Sequence, residues 1–330
     1  MNRSELATPA LIVDGAALDR NLATMAAARP GPQCRPHVKA HKTTALARRQ
    51  HQVGHPGFTA ATPREILGLA AAGLGEDLLL ANETIDGGRL RAMADCDARV
   101  TIAVDSAETI ATAAAHGIRE VLIDVNVGLP RCGCDPADAG RLADIARGRG
   151  LDVRGVMGYE GHVYLHEDRA ARADATATVM ALLARAAADV GGDVISAGAS
   201  GTYDLNEVAT EIQAGSYALM DTAFAPMLPA FERALWIDTT VISVSRGYAV
   251  VDCGLKALGM DHGNPTIDGA KVFVVSDEHV TFAPEHPVRV GDRVRVWPAH
   301  TDPTIAYHET MWVTDGEDVL ERWPVDLRGW

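Results

Sequence analysis

The run EVLIDVNV, Glu120 to Val127, decides the fold of this chain: a short apolar block, rich in β-branched residues, that reads as a strand. The same texture recurs at DLLLAN (77–82) and RVTIAV (99–104). Between such runs lie alanine- and arginine-rich segments with helical spacing. RLADIARGRG (141–150) is one, and ATATVMALLARAAADVGG (175–192) is another, stopped by its glycines. From Gln33 onward, strands are expected near 33–39, 56–61, 77–82, 99–104, 119–126, 152–158, 192–198 and 214–220. Strand–helix alternation implies a parallel sheet. Eight units in a row imply an α/β fold closed into a TIM-like (β/α)8 barrel. The competing doubly wound sheet lacks its usual mark, since no G-x-G-x-x-G follows the first strand.

Beyond about residue 240 the texture changes. TTVISVSRGYAVVDCG (239–254), KVFVVSDEHVTFAP (271–284), DRVRVWPAH (292–300) and HETMWVTDGEDVLERWPV (308–325) are β-rich runs joined by turn residues. They predict a C-terminal antiparallel β-domain, into which the early run TPALIVD (8–14) can pair. The expected division is a barrel over 20–238 and a β-domain made of 1–19 plus 239–330.

The bulk numbers suit that plan. Of 330 residues, 47% are hydrophobic and 22% charged, as in an ordinary globular protein. A net charge of −14 argues against nucleic acid and anionic membrane surfaces as partners, while leaving room for a local cationic pocket. The five cysteines, Cys34, Cys96, Cys132, Cys134 and Cys253, show no C-x-x-C spacing and read as reduced thiols of a cytoplasmic protein. No signal peptide and no membrane-spanning run is visible.

In such barrels the chemistry gathers at the carboxyl ends of the strands. Applied here, that rule brings Lys39, Asn82, Asn126, Arg131, Tyr159, His162, Ser200, Gly201, Thr202, Gly215, Ser216 and Tyr217 towards one rim. A lysine pointing inward there is desolvated, its pKa falls, and its free amine becomes a nucleophile towards aldehydes such as pyridoxal phosphate. An exposed helix start explains Lys39 and Lys42 equally well on spacing alone. SAGASGTYD (196–204) and QAGSYALMD (213–221) are small-residue turns whose amide hydrogens can form a phosphate nest. His300 and Asp302 lie two residues apart, and in extended chain they would point to one side and share a divalent cation.

Taken together, TPALIVD, RPHVKAHKT (35–43), LLLANE (78–83), NVGLPRCG (126–133), GVMGYEGH (155–162), SAGASGTYD, VVDCGLKALGMDHG (250–263), PAHTDPT (298–304) and WPVDLRG (323–329) resemble the alanine-racemase-like, fold type III pyridoxal phosphate enzymes. The likeness is to the D-threonine aldolase and D-serine dehydratase group, and it spans nearly the whole chain in the family's order. It implies that Lys39 holds the cofactor covalently, with Lys42 as a second, noncovalent lysine. It implies that Arg131 approaches the cofactor's phenolic oxygen and that Tyr159 lies beside the ring. Ser200, Gly201, Thr202, Gly215, Ser216 and Tyr217 match the phosphate-binding turns.

The resemblance also implies a metal at His300 and Asp302. Aldolase-like members are similar to H-x-D there and dehydratase-like members to H-x-C. Nitrogen and carboxylate donors suit Mn2+ or Mg2+, with Zn2+ kept open. The expected activity is cleavage of β-hydroxy-D-amino acids to glycine and an aldehyde. The alternatives are D-serine or D-3-hydroxyaspartate dehydration, racemisation, and a pyridoxal phosphate protein without turnover. Family aldolases are similar to Y-x-G-x-x-x-H, whereas Leu165 stands six residues after Tyr159 here. The base is therefore expected at His162, with His166 as the alternative. The family also implies a homodimer acting on a small amino-acid substrate.

Overall fold

The structure is a computed structural model describing residues 1–330, with Leu165 described by its backbone alone. After β1 (Ala10–Asp14) and α1 (Gly15–Ala28) the chain runs through α2 (Thr44–Gln52), β2 (Gly57–Ala60), α3 (Pro63–Ala71), β3 (Asp77–Leu80), α4 (Gly87–Asp95) and β4 (Val100–Val104). Then come α5 (Ala107–Ala115), β5 (Glu120–Asp124), α6 (Ala139–Gly148), β6 (Asp152–Gly158), α7 (Arg169–Val190), β7 (Val194–Ala197) and β8 (Glu211–Ile212). Helix starts follow local chemistry. Thr62 and Glu65 form a capping box ahead of α3, with Pro63 at its first position, and Asp86, Ser106 and Asp168 cap α4, α5 and α7.

Strands β2 to β8 make a seven-stranded sheet in sequence order, all parallel. The eighth stave is the segment 34–37, which closes the ring without forming a regular strand. Cys34 bridges Ile212 of β8 and His37 bridges Thr59 of β2, both in parallel sense. The amides of Arg35 and His37 donate to the carbonyls of Ile212 and Ala214 (2.9 Å each), and the Thr59 amide donates to Pro36 O (2.9 Å). Pro36 has no N–H to give, which suits it to so short a stave. Leu79, Ala103, Leu122 and Met157, one from each of β3 to β6, pack into one buried cluster. Residues 214–220 are not the last strand. β8 ends at Ile212, and Ser216–Ala218 form a 3-10 turn. Tyr217 to Met220 are all buried, and an apolar run of that length looks the same in a buried turn as in a strand.

At the amino-terminal ends of the strands lies a closed ion network. Arg35 donates to Asp77 Oδ2 (2.6 Å) and Glu211 Oε1 (2.8 Å), and Arg154 donates to Asp77 Oδ1 (2.8 Å) and the Thr101 hydroxyl (2.7 Å). Burial pulls the Asp77 carboxyl up, but the hydrogen bonds and charges of Arg154 and Arg35 outweigh it and hold the pKa at about 2.

The second sheet contains β1 together with β9 (Leu235–Ser245), β10 (Tyr248–Val251), β11 (Ala270–Val275), β12 (Val280–Pro284), β13 (Arg293–Val296), β14 (Thr310–Asp315) and β15 (Asp318–Pro324). The order is β11-β12-β10-β9-β1-β14-β15, with β13 also on β9, and only β1–β14 is parallel. Leu6, Ala10, Ile12, Trp236 and Trp297 form its apolar cluster. A short helix, α8 (Thr301–Tyr307), interrupts the β texture. By proximity the chain resolves into two compact units. One is Met25–Lys39 with Leu46–Gly215 and Gly329–Trp330; the other is Met1–Thr24 with Ala40–Ala45 and Ser216–Arg328.

Candidate functional site

In the barrel unit the expected residues do gather at the carboxyl ends of the strands. Lys39 follows the eighth stave in a 3-10 turn, half-buried, with its amide donating to His37 Nδ1 (3.4 Å). Tyr159 follows β6, and the Arg131 guanidinium lies 4.9 Å from its ring centroid. Burial raises the Tyr159 phenol, and the positive charge of Lys39 works against that rise. The Arg131 guanidinium makes no hydrogen bond or ion pair among the described residues, which leaves its donors for an anionic group.

His162 sits against Gly128, in the loop after β5. Gly128 takes φ 126°, and a Cβ there would lie 3.0 Å from Cε1 and Nε2 of the imidazole, so the glycine makes room for the ring. Among the described residues His162 Nδ1 is buried with no hydrogen-bond partner. Such an atom costs about 1–3 kcal/mol unless something satisfies it. His166 is exposed at the end of the 3-10 turn Val163–Leu165, and its carbonyl accepts from Arg172 Nη1 (2.8 Å).

The turn after β7 is organised by Glu160, which is almost fully buried. Its two carboxylate oxygens accept the Gly198 amide (3.1 Å) and the Thr202 hydroxyl (2.8 Å). Burial raises its pKa, against those hydrogen bonds. Thr202 is thereby fully occupied within the chain, since its amide donates to Ala199 O (3.1 Å) and its hydroxyl accepts from the Ala199 amide (3.0 Å). Its expected role as a direct phosphate donor therefore becomes one of shaping the turn. Gly201 has nothing nearer to an added Cβ than Tyr164 Cβ at 3.7 Å. Packing within the chain does not demand glycine there, and close approach of a ligand to the backbone supplies a reason. The uncommitted guanidinium, the orphaned imidazole nitrogen and this open turn fit pyridoxal phosphate.

Two further carboxyls stand at the same rim. Asp124 ends β5, and Glu83 follows β3 with its carboxyl hydrogen-bonded to that of Asp124. Burial first, and then Glu83, raise Asp124 well above the usual carboxylate range. A cavity of about 10 Å³ beside Asp124 is lined by Asn126, Arg131, Cys132 and Tyr159 among others.

Gly215 closes a stretch of the barrel unit, whereas Ser216, Tyr217, Lys42, His300 and Asp302 belong to the other unit. Tyr217 is fully buried, its ring 5.7 Å from that of Phe231, while Ser216 is half-buried beside it. Lys42 takes a left-handed φ of 48°, and its carbonyl accepts from Leu327 N (3.0 Å). His300 and Asp302 come together, with Nε2 and Oδ1 3.9 Å apart. They do so differently from the extended-chain expectation. His300 is the N-cap residue of α8 and Asp302 lies in its first turn. Asp221 steadies this start by accepting the Thr301 amide (3.2 Å). Burial pushes the Asp221 carboxyl up to about 6, against hydrogen bonds from the Phe224 and Thr301 amides. A nitrogen and a carboxylate held this close fit a divalent ion.

Sequence reasoning missed Glu160, the Asp124–Glu83 pair, and the surroundings of His300. Glu160 lies within GVMGYEGH, but only the fold shows its burial. His300 Nδ1 is 2.7 Å from Asp261 Oδ2, and its ring stacks on that of His262 with centroids 3.9 Å apart. One ligand atom each from Asp261, His262 and His300 lie within 4.8 Å of one another.

Residues 13–223 match the family model described as alanine racemase, N-terminal domain, and residues 234–314 match one described as putative serine dehydratase domain. The chain is 32% identical to a 3-hydroxy-D-aspartate aldolase of Paracoccus denitrificans, over 100% of this chain and 94% of that protein. It is 30% identical to a D-threo-3-hydroxyaspartate dehydratase of a Delftia species, over 78% of this chain and 74% of the relative. The crystal structure of D-threonine aldolase from Filomicrobium marinum superposes with a TM-score of 0.91 at 31% identity, covering 98% of this chain and 96% of that one.

Proposed function

Because this chain belongs to the alanine racemase N-terminal domain family, we propose that it is a pyridoxal phosphate- and divalent metal-dependent aldolase that cleaves D-threonine-like β-hydroxy-D-amino acids to glycine and an aldehyde. The observation that carries this reading is the His300–Asp302 pair, a nitrogen and carboxylate set with no thiolate, joined to full-length likeness to aldolases. When bound, pyridoxal phosphate supplies an electron sink for negative charge at the substrate Cα.

The chain's own residues take the following parts. Lys39 would hold the cofactor's aldehyde, with Arg131 and Tyr159 as its neighbours. Ser200 and Gly201 would bind the phosphate, in a turn that Glu160 and Thr202 keep in shape, and Gly215, Ser216 and Tyr217 match the rest of the family's phosphate-binding set. His300 and Asp302 would hold the ion, which would supply Lewis acidity to lower the pKa of a substrate β-hydroxyl. His162 Nδ1, buried and without a partner, accepts the hydroxyl proton as Cα–Cβ breaks and the aldehyde leaves. His166, exposed at the end of its turn, is the less suited base. Donor chemistry favours Mn2+ or Mg2+ over Zn2+.

A dehydratase is the second reading, favoured by the match of residues 234–314 and by the Delftia relative. Product analysis on D-threonine and D-phenylserine, with and without a chelator, separates the cases. Glycine plus an aldehyde, lost on chelation, is the expected result. A keto acid with ammonia means dehydration, the inverted amino acid means racemisation, and a bound cofactor without turnover means a non-catalytic protein. A homodimer is also proposed, supported by the exposed Ile242, Val244, Tyr248, Phe273 and Val274 of the second sheet and tested by sedimentation. A cytoplasmic location rests on five free thiols. No helix among the described residues is long and apolar enough to cross a membrane.

A further inference from the structure

The surroundings of His300 carry an inference that rests on the metal reading above and goes beyond it. An imidazole offers a metal only one nitrogen well, and which one depends on where the ring proton sits. An ionised carboxylate only accepts, so the 2.7 Å contact between His300 Nδ1 and Asp261 Oδ2 places the proton on Nδ1. That leaves the Nε2 lone pair free, on the side where Asp302 Oδ1 lies 3.9 Å away. Gly259 pairs in antiparallel sense with His300, which brings Asp261 to the ring from almost forty residues upstream.

The ring is held in a second direction as well. His262 stacks on it nearly parallel, at 7° with centroids 3.9 Å apart, and Phe224 meets His262 edge-on at 5.6 Å. The hydrogen bond sets the rotation of the ring in its own plane, and the stack sets its tilt.

We propose that Asp261 is the positioning residue of the metal centre, fixing the tautomer and angle of His300 so that Nε2, with Asp302, receives the divalent ion, while His262 serves as a stacking partner and not as a ligand. A competing arrangement uses Asp261, His262 and His300 as three direct ligands, since their donor atoms lie within 4.8 Å. The two arrangements differ in what His262 contributes.

The test is calorimetric titration of MnCl2 into the full-length, cofactor-loaded chain after chelator treatment and dialysis. Asp261→Ala is expected to raise the Kd for Mn2+ by about 10–100-fold. Asp261→Asn, whose carbonyl still accepts the Nδ1–H, is expected to raise it less. His262→Phe, which keeps the stack and removes the donor, is expected to bind as the wild type does. A wild-type Kd for Asp261→Ala, or a His262→Phe loss as deep as that of His300→Ala, overturns the proposal. A reading free of substitutions comes from ring 15N shifts of His300 in the metal-free wild type. A protonated Nδ1 supports the assignment, and a protonated Nε2 sinks it. A wild-type chain that binds no Mn2+ at all overturns the metal reading itself along with this one, so the two failures are distinguishable.

Discussion

The two ends of the barrel are built from the same strands and treat their polar groups in opposite ways. At the amino-terminal end, Arg35, Asp77, Arg154 and Glu211 satisfy one another at 2.6–2.8 Å. At the carboxyl end, among the described residues, His162 Nδ1 is buried without a hydrogen-bond partner, and the Arg131 guanidinium stands over Tyr159 without a hydrogen bond, its charge felt by the buried Asp124 carboxyl. Unpaired polar atoms at the carboxyl end are ones a ligand would complete; among the described residues His55 Nε2, ahead of β2, and Trp236 Nε1, in the other unit, are also buried without partners. In barrels of this kind, stability and chemistry are expected at opposite ends of the strands.

The sharpest way to break this contrast is at Lys39. Lys39→Ala is expected to remove the absorbance of bound cofactor and lower turnover by about a thousandfold or more, with little change in Tm. A large loss of Tm would mean that this end is structural after all. Next in size is the imidazole pair. His162→Ala is expected to lower kcat by about 10²–10³-fold with cofactor absorbance intact, and His166→Ala is expected to change it little. Equal effects, or the reverse order, would move the base to His166.

The opposite end should answer in the other currency. Asp77→Ala leaves two arginines without their shared partner and is expected to cost about 3 kcal/mol in urea unfolding. Turnover per folded molecule should stay unchanged. A fall in turnover at equal folded fraction would show that the two ends are coupled. The smallest effect is on acid stability. Asp77 titrates at about 2 in the fold, below its unfolded value of about 3.9. The stabilisation is therefore complete above about pH 4 and is lost as pH falls towards 2. Discounted for partial exposure it amounts to about 1–2 kcal/mol, so Asp77→Asn should flatten the acid unfolding curve over that range.

Much of the fold was legible because it depends on local pattern. Apolar blocks such as EVLIDVNV and DLLLAN alternate with helical segments, and that alternation specifies a parallel sheet before any contact is known. The last stave was misplaced because Tyr217 to Met220 are as apolar in a buried turn as in a strand. Within the candidate site, reactive side chains at strand ends could be named from position alone. Whether each is free to act could not. Thr202 looks like any phosphate-binding hydroxyl until Glu160 and Ala199 are seen to occupy it.

By itself the sequence determined the barrel, the β-rich C-terminal part, and the residue types at the strand ends, since periodicity and strand-end position are properties of neighbouring residues. Tertiary structure alone decided that 34–37 closes the ring, that Glu160 braces the turn after β7, and that Asp261 and His262 meet His300. Those contacts join residues far apart along the chain, and only packing in three dimensions sets which polar atoms find partners and which are left for a ligand.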